Sequence, residues 1–97
     1  MQLQISGQNV EVTQALHDFV EEKIGHIKTC ADKITNAHVM LVVEKNVQMA
    51  KVELHVPGKV IFAEDSDADM YTAIDKMLDK LRRQLTKYKE EKLGHQD

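Results

Sequence analysis

From Asp69 to Lys92 the chain reads DMYTAIDKMLDKLRRQLTKYKEEK, and a single helix accounts for nearly every residue in it. At 100° per residue, Met70, Ile74, Met77, Leu78, Leu81, Leu85 and Tyr88 fall on one apolar stripe. Lys76, Lys80, Arg83 and Lys87, spaced 4-3-4, form a second stripe on the opposite side. A helix this long with only one apolar side must lie across a broad apolar surface, and it then turns a row of cations to solvent. That row suits phosphates better than it suits bond-making chemistry.

Charge is distributed unevenly. The chain carries a net charge of −3, which taken alone argues against a polyanionic partner. Residues 1–75 hold six Lys/Arg against twelve Asp/Glu, whereas residues 76–97 hold seven against four. A polyanion responds to local potential, and an acidic remainder orients the molecule on it. The competing reading is a solvated helix face laced with pairs such as Asp75–Asp79–Arg83 and Asp79–Arg82.

The remaining elements follow from periodicity. Gln2–Ser6 alternates as a strand with Leu3 and Ile5 inward, ended by Gly7-Gln8-Asn9. Thr13 is placed to cap a helix running to about Cys30, with Leu16, Phe19, Val20, Ile24 and Ile27 on one face and Asp18, Glu21 and Glu22 on the other. Thr35–Lys45 is a second strand with Ala37, Val39, Leu41 and Val43 in phase. In Met49–Val56, Ala50, Val52, Leu54 and Val56 alternate with Lys51, Glu53 and His55. Pro57-Gly58 has type II turn chemistry and closes a hairpin with Lys59–Glu64. Ser66 is the predicted cap of the last helix, with Asp69 in a weak capping box.

The order β-α-β-β-β-α predicts an α+β two-layer sandwich: a four-stranded sheet with both helices on one face. Ninety-seven residues suffice for one modest core, so 1–97 is expected to be one domain, with the last turns past Leu85 and residues 90–97 extending beyond it. No run is long enough to cross a bilayer, no apolar signal region follows Met1, and Cys30 has no internal disulfide partner. The expected location is a reducing cytoplasm.

Signals for chemistry are poor. The five histidines show no ligand spacing, Cys30 stands alone, and the four glycines form no phosphate loop, so no metal, cofactor or small-molecule substrate is expected. Asp65, Asp67 and Asp69 are spaced like the start of a calcium loop, but Ile74 and Lys76 occupy the distal positions. Those acids are instead expected to favour the positive end of the last helix. With two Phe, two Tyr and no Trp, an aromatic platform for bases is not expected.

The stretches Asp69-Met70-Tyr71, Ala73-Ile74-Asp75, Asp79-Lys80-Leu81, Arg83-Gln84-Leu85 and Lys87-Tyr88-Lys89, with the opening MQLQISGQNVEVTQAL, resemble the bacterial ribosome hibernation-promoting factors. This is the ribosome-associated inhibitor / sigma-54 modulation protein family, and the chain looks most like its short form. Ending at Asp97, it is expected to lack the second domain of long forms and the longer tail of the ribosome-associated inhibitors. The resemblance implies a non-enzymatic stationary-phase factor that binds the small ribosomal subunit and its 16S rRNA beside the decoding centre. Such a factor blocks messenger RNA and A- and P-site transfer RNA and promotes inactive ribosome dimers. The free protein is expected to be a monomer.

The residues expected to carry the contact are Lys80, Arg83 and Lys87, flanked by Lys76, Lys89 and Lys92. Lys23 falls within the apolar stripe of the first helix. Either its stem packs and its ammonium snorkels out, or it reaches RNA beside the last helix. Two rival readings remain: a generic double-stranded-RNA module, whose αβββα core this order contains, and a protein–protein adaptor using Met40, Val42 and Ile61 on the second sheet face.

Overall fold

The alternating segments pair into one four-stranded sheet, and the two amphipathic segments lie together on its apolar face. A computed structural model of the chain describes residues 2–28 and 34–94. The elements are β1 (Gln2–Gln8), α1 (Gln14–Lys28), β2 (Asn36–Glu44), β3 (Val47–Val56), β4 (Lys59–Asp67) and α2 (Met70–Gly94). Strand order is β1-β2-β3-β4. β1 pairs with β2 in parallel, joined through α1, and the other two pairings are antiparallel hairpins.

One face of the sheet supplies Ala37, Val39, Leu41, Ala50, Val52, Leu54, Ile61 and Ala63 to the core. Above them lie Leu16, Val20, Ile24 and Ile27 of α1, together with Ile74, Met77, Leu78, Leu81 and Leu85 of α2. Burying each large aliphatic side chain contributes about 1.5–3 kcal/mol, so this shared core is what holds two marginal layers together.

Local chemistry sets the ends of the elements. β1 runs to Gln8, two residues past the expected end, and stops where Asn9 adopts a φ of 60°, a conformation asparagine tolerates. Thr13 caps α1: its Oγ1 accepts the Leu16 N–H at 3.2 Å and its carbonyl accepts that of His17 at 2.9 Å. α1 is described to Lys28, and Cys30 lies outside the described residues. The β2–β3 turn places Lys45 at φ 54°, in a position without the usual glycine. The β3–β4 turn uses Pro57-Gly58 as expected, with Gly58 at φ 78°.

Three expectations need correction. β4 continues to Asp67 because Asp65 and Asp67 still pair with Ala50 and Gln48, so Ser66 is a strand residue. The cap of α2 is Asp69, whose Oδ2 accepts the Thr72 N–H at 3.0 Å and the Thr72 hydroxyl at 2.9 Å. Ile61 faces the helices, not the open side: it pairs with inward-facing Leu54, and its neighbour Phe62 is the outward residue, 62 % exposed. Finally, α2 does not leave the body at Leu85, since Tyr88 still packs against the core.

Candidate nucleic-acid interface

α2 runs alongside β4, the edge strand, and a row of its side chains meets that edge. Lys76 Nζ donates to the Ser66 carbonyl at 3.0 Å and Lys80 Nζ to that of Glu64 at 3.2 Å. Gln84 Nε2 donates to the Phe62 carbonyl at 2.6 Å, and Tyr88 Oη to that of Pro57 at 2.8 Å. The spacing has a simple cause. Four helical residues rise about 6 Å, and two strand residues span about 6.7 Å. The donors at Lys76, Lys80 and Gln84 therefore meet the carbonyls of every second residue of β4, the set an edge strand turns away from its neighbour, while Tyr88 reaches past the strand to the turn.

Acids from the same edge reinforce the row. Asp65 lies on the helix-facing side of β4, with Oδ2 3.3 Å from Lys80 Nζ and Oδ1 3.8 Å from Lys76 Nζ. Asp67 Oδ1 lies 3.6 Å from Lys76 Nζ. The Ser66 N–H, 2.8 Å from Asp65 Oδ1, does most to hold the Asp65 carboxyl below the ordinary aspartate range. Partial desolvation opposes it, and the Lys80 and Lys76 ammonium groups add to the lowering. Asp65, Asp67 and Asp69 were expected to favour the positive end of α2; Asp69 does so as its cap, and Asp67 Oδ2 accepts the Asp69 N–H at 3.0 Å. The extension of β4 also carries Asp65 and Asp67 beside Lys76 and Lys80, about two and three turns into α2.

The other predicted cations divide into two groups. Lys23 bridges the helices: its Nζ lies 3.6 Å from Asp75 Oδ1 and 5.3 Å from the centre of the Phe19 ring. Phe19 in turn meets Tyr71 edge-on at 4.9 Å. Arg82 reaches back to Asp79 at 3.4 Å. Arg83, Lys87 and Lys89 are exposed, and among the described residues no acid lies within ion-pair distance of them. Arg83 and Lys87 stand one turn apart, with Cβ atoms about 6 Å from each other. The Lys92 side chain lies outside the described residues. The 4-3-4 stripe is therefore split in two: Lys76 and Lys80 engaged with β4, and Arg83 and Lys87 facing solvent.

Sequence comparison identifies the chain's relatives. Residues 3–92 match the family described as Sigma 54 modulation protein / S30EA ribosomal protein. The chain belongs to this family. It is 50% identical over 90 residues to the ribosome hibernation promoting factor of Pseudomonas putida, covering 93% of this chain and 88% of that one. It is 45% identical over 95 residues to the factor of the same name from Escherichia coli K12, covering 98% of this chain and 100% of the relative. The ribosomal subunit interface protein of Coxiella burnetii superposes with a TM-score of 0.88 at 35% identity, covering 92% of this chain and 98% of that one.

Two side chains outside the predicted set lie beside it. Lys51 and Phe62 line a shallow groove with Glu64, Lys80 and Gln84, where the open sheet face meets the α2 edge. The signal was present in the hairpin register, which pairs Lys51 with Glu64 and Glu53 with Phe62 on the face opposite the core. Elsewhere on that face Ser6 Oγ lies 2.9 Å from His38 Nε2, and His55 Nε2 lies 2.8 Å from Glu53 Oε1. Among the described residues no group of three or more His, Cys, Asp or Glu is arranged to hold a metal ion. No described helix is long and apolar enough to cross a membrane.

Proposed function

We propose that this chain is a ribosome hibernation factor and that the outer face of α2 is its contact with the small ribosomal subunit. The relatives' names support the first half, and the charge pattern of α2 supports the second. On this reading the chain binds 16S rRNA beside the decoding centre. It occupies the space of messenger RNA and of A- and P-site transfer RNA, and promotes inactive ribosome dimers in stationary phase. Occlusion suffices, with no covalent step, cofactor or small-molecule substrate. It acts in the cytoplasm as a single domain of residues 1–97, monomeric when free.

The observation that carries this reading is the pair Arg83 and Lys87. Both are exposed, and neither is matched to an acid among the described residues. The arginine fork takes a phosphate bidentately and the lysine acts as a point charge. Structured RNA presents backbone and shape, which a cationic helix face can follow without reading base edges. Arg83 and Lys87 form the centre, Lys89 and Lys92 extend it, and Lys76, Lys80 and Lys23 contribute only after leaving their present partners.

Co-sedimentation with vacant ribosomes at low and high salt tests the reading. The expected result is migration with the small subunit and a shift toward ribosome dimers at low salt, both weakening as salt rises. A protein that stays at the top of the gradient at both salts would overturn it.

A further inference from the structure

We infer that Asp65 and Asp67 are built-in competitors of RNA phosphate for Lys76 and Lys80, so that they set the strength and salt dependence of binding by α2. The inference rests on the proposed RNA contact and concerns its regulation.

Three ion-pair distances carry it: Lys80–Asp65 at 3.3 Å, Lys76–Asp67 at 3.6 Å and Lys76–Asp65 at 3.8 Å. The two ammonium groups also donate to strand carbonyls, at 3.0 and 3.2 Å. Both lysine side chains remain about half exposed, at 46% and 50%, so an approaching anion can reach them. A phosphate must therefore exchange with a carboxylate already in place. Two of the four cations in the 4-3-4 stripe start satisfied, whereas Arg83 and Lys87 start bare. The acids also belong to β4, which is anchored to β3 through Asp67–Gln48 and Asp65–Ala50, so they do not drift away when RNA arrives. The lowered Asp65 carboxyl stays ionised at any pH near neutrality, and the competition is always present. For a factor that must leave its RNA again, such competition keeps binding weaker and more easily reversed than the bare count of cations implies.

The test is Asp65→Asn with Asp67→Asn. Asparagine keeps an oxygen for the Ser66 and Asp69 N–H groups that these carboxylates now accept. The control is Asp18→Asn with Glu21→Gln on the exposed face of α1, which removes the same two charges without touching a lysine of α2. Affinity for purified small subunits is measured across a salt series. Two freed lysines should steepen the log–log slope by about 1.4–1.8 and tighten low-salt binding roughly tenfold or more beyond the control. A slope equal to that of the control, or weaker binding, overturns the inference.

Elution from a heparin column separates this failure from failure of the functional reading. If the natural sequence does not bind small subunits, the functional reading fails. Later elution of the Asn pair than of the control still upholds the competition for a polyanion, and equal elution overturns it. Should the double variant melt early, Asp65→Asn alone provides the same comparison, with a slope change of about one contact.

Discussion

Tyr88 Oη donates to the Pro57 carbonyl at 2.8 Å, tying the fifth turn of α2 to the tip of the β3–β4 hairpin. This contact ends the row of donors that begins at Lys76, and it keeps Arg83 and Lys87 on a helix anchored at both ends of the edge strand. Tyr88→Phe keeps the ring in the core and deletes only the hydroxyl. A loss of about 1 kcal/mol in urea denaturation is expected, with faster amide exchange in α2 beyond Leu85 than before it.

The same row closes the sheet edge. Lys76, Lys80 and Gln84 occupy the carbonyls of Ser66, Glu64 and Phe62, groups that would otherwise accept a strand from a second molecule. Replacing all three by alanine is expected to leave the core intact and to produce concentration-dependent self-association. Sedimentation velocity across a tenfold range of protein concentration checks it, and a persistent monomer refutes the role.

Asp69, rather than Ser66, holds the first turn of α2. Asp69→Ala should cost about 1 kcal/mol, within the usual range of about 0.5–2 for a lost cap. Ser66→Ala leaves the accepting carbonyl in place and should cost less than half as much. Parallel denaturation curves of the two variants distinguish the assignments.

Asp65 makes stability depend on acid. Its carboxyl titrates lower in the folded chain than in the unfolded one, so the unfolded state binds the proton more readily. Its stabilising contribution is present in full above the ordinary aspartate pKa of about 3.9 and is lost as the pH falls through the lowered folded value. Asp65→Asn should flatten the stability–pH curve in that acidic window and leave its slope unchanged between pH 6 and 8, as followed by thermal melts.

Arg83→Glu with Lys87→Glu should greatly weaken small-subunit binding while shifting stability by no more than about 0.5 kcal/mol, because both side chains project from the packed face. Binding at full strength by this variant would remove α2 from the contact.

Much of the fold was legible because its signals are local. The apolar stripe from Met70 to Tyr88, the alternation of Met49–Val56 and the Pro57-Gly58 turn each need only a few consecutive residues to be read. The corrections fall where locality fails. Ile61 and Phe62 are adjacent and both apolar, so alternation alone leaves the strand's phase open. Pairing with Leu54 decides it, and a one-residue slip exchanges the faces. Ser66 can cap a helix by chemistry, yet Gln48 and Ala50 hold Asp67 and Asp65 in the sheet and move the helix start to Met70.

The candidate site divides the same way. The sequence by itself determined that α2 has an apolar side and a cationic one, since both follow from 3.6 residues per turn. Only the tertiary structure decided which cations are free. The match between four helical residues and two strand residues brings Lys76 and Lys80 to the β4 edge and its acids, and passes Arg83 and Lys87 by. That match is a distance between two elements separated along the chain, and no periodicity within either one contains it.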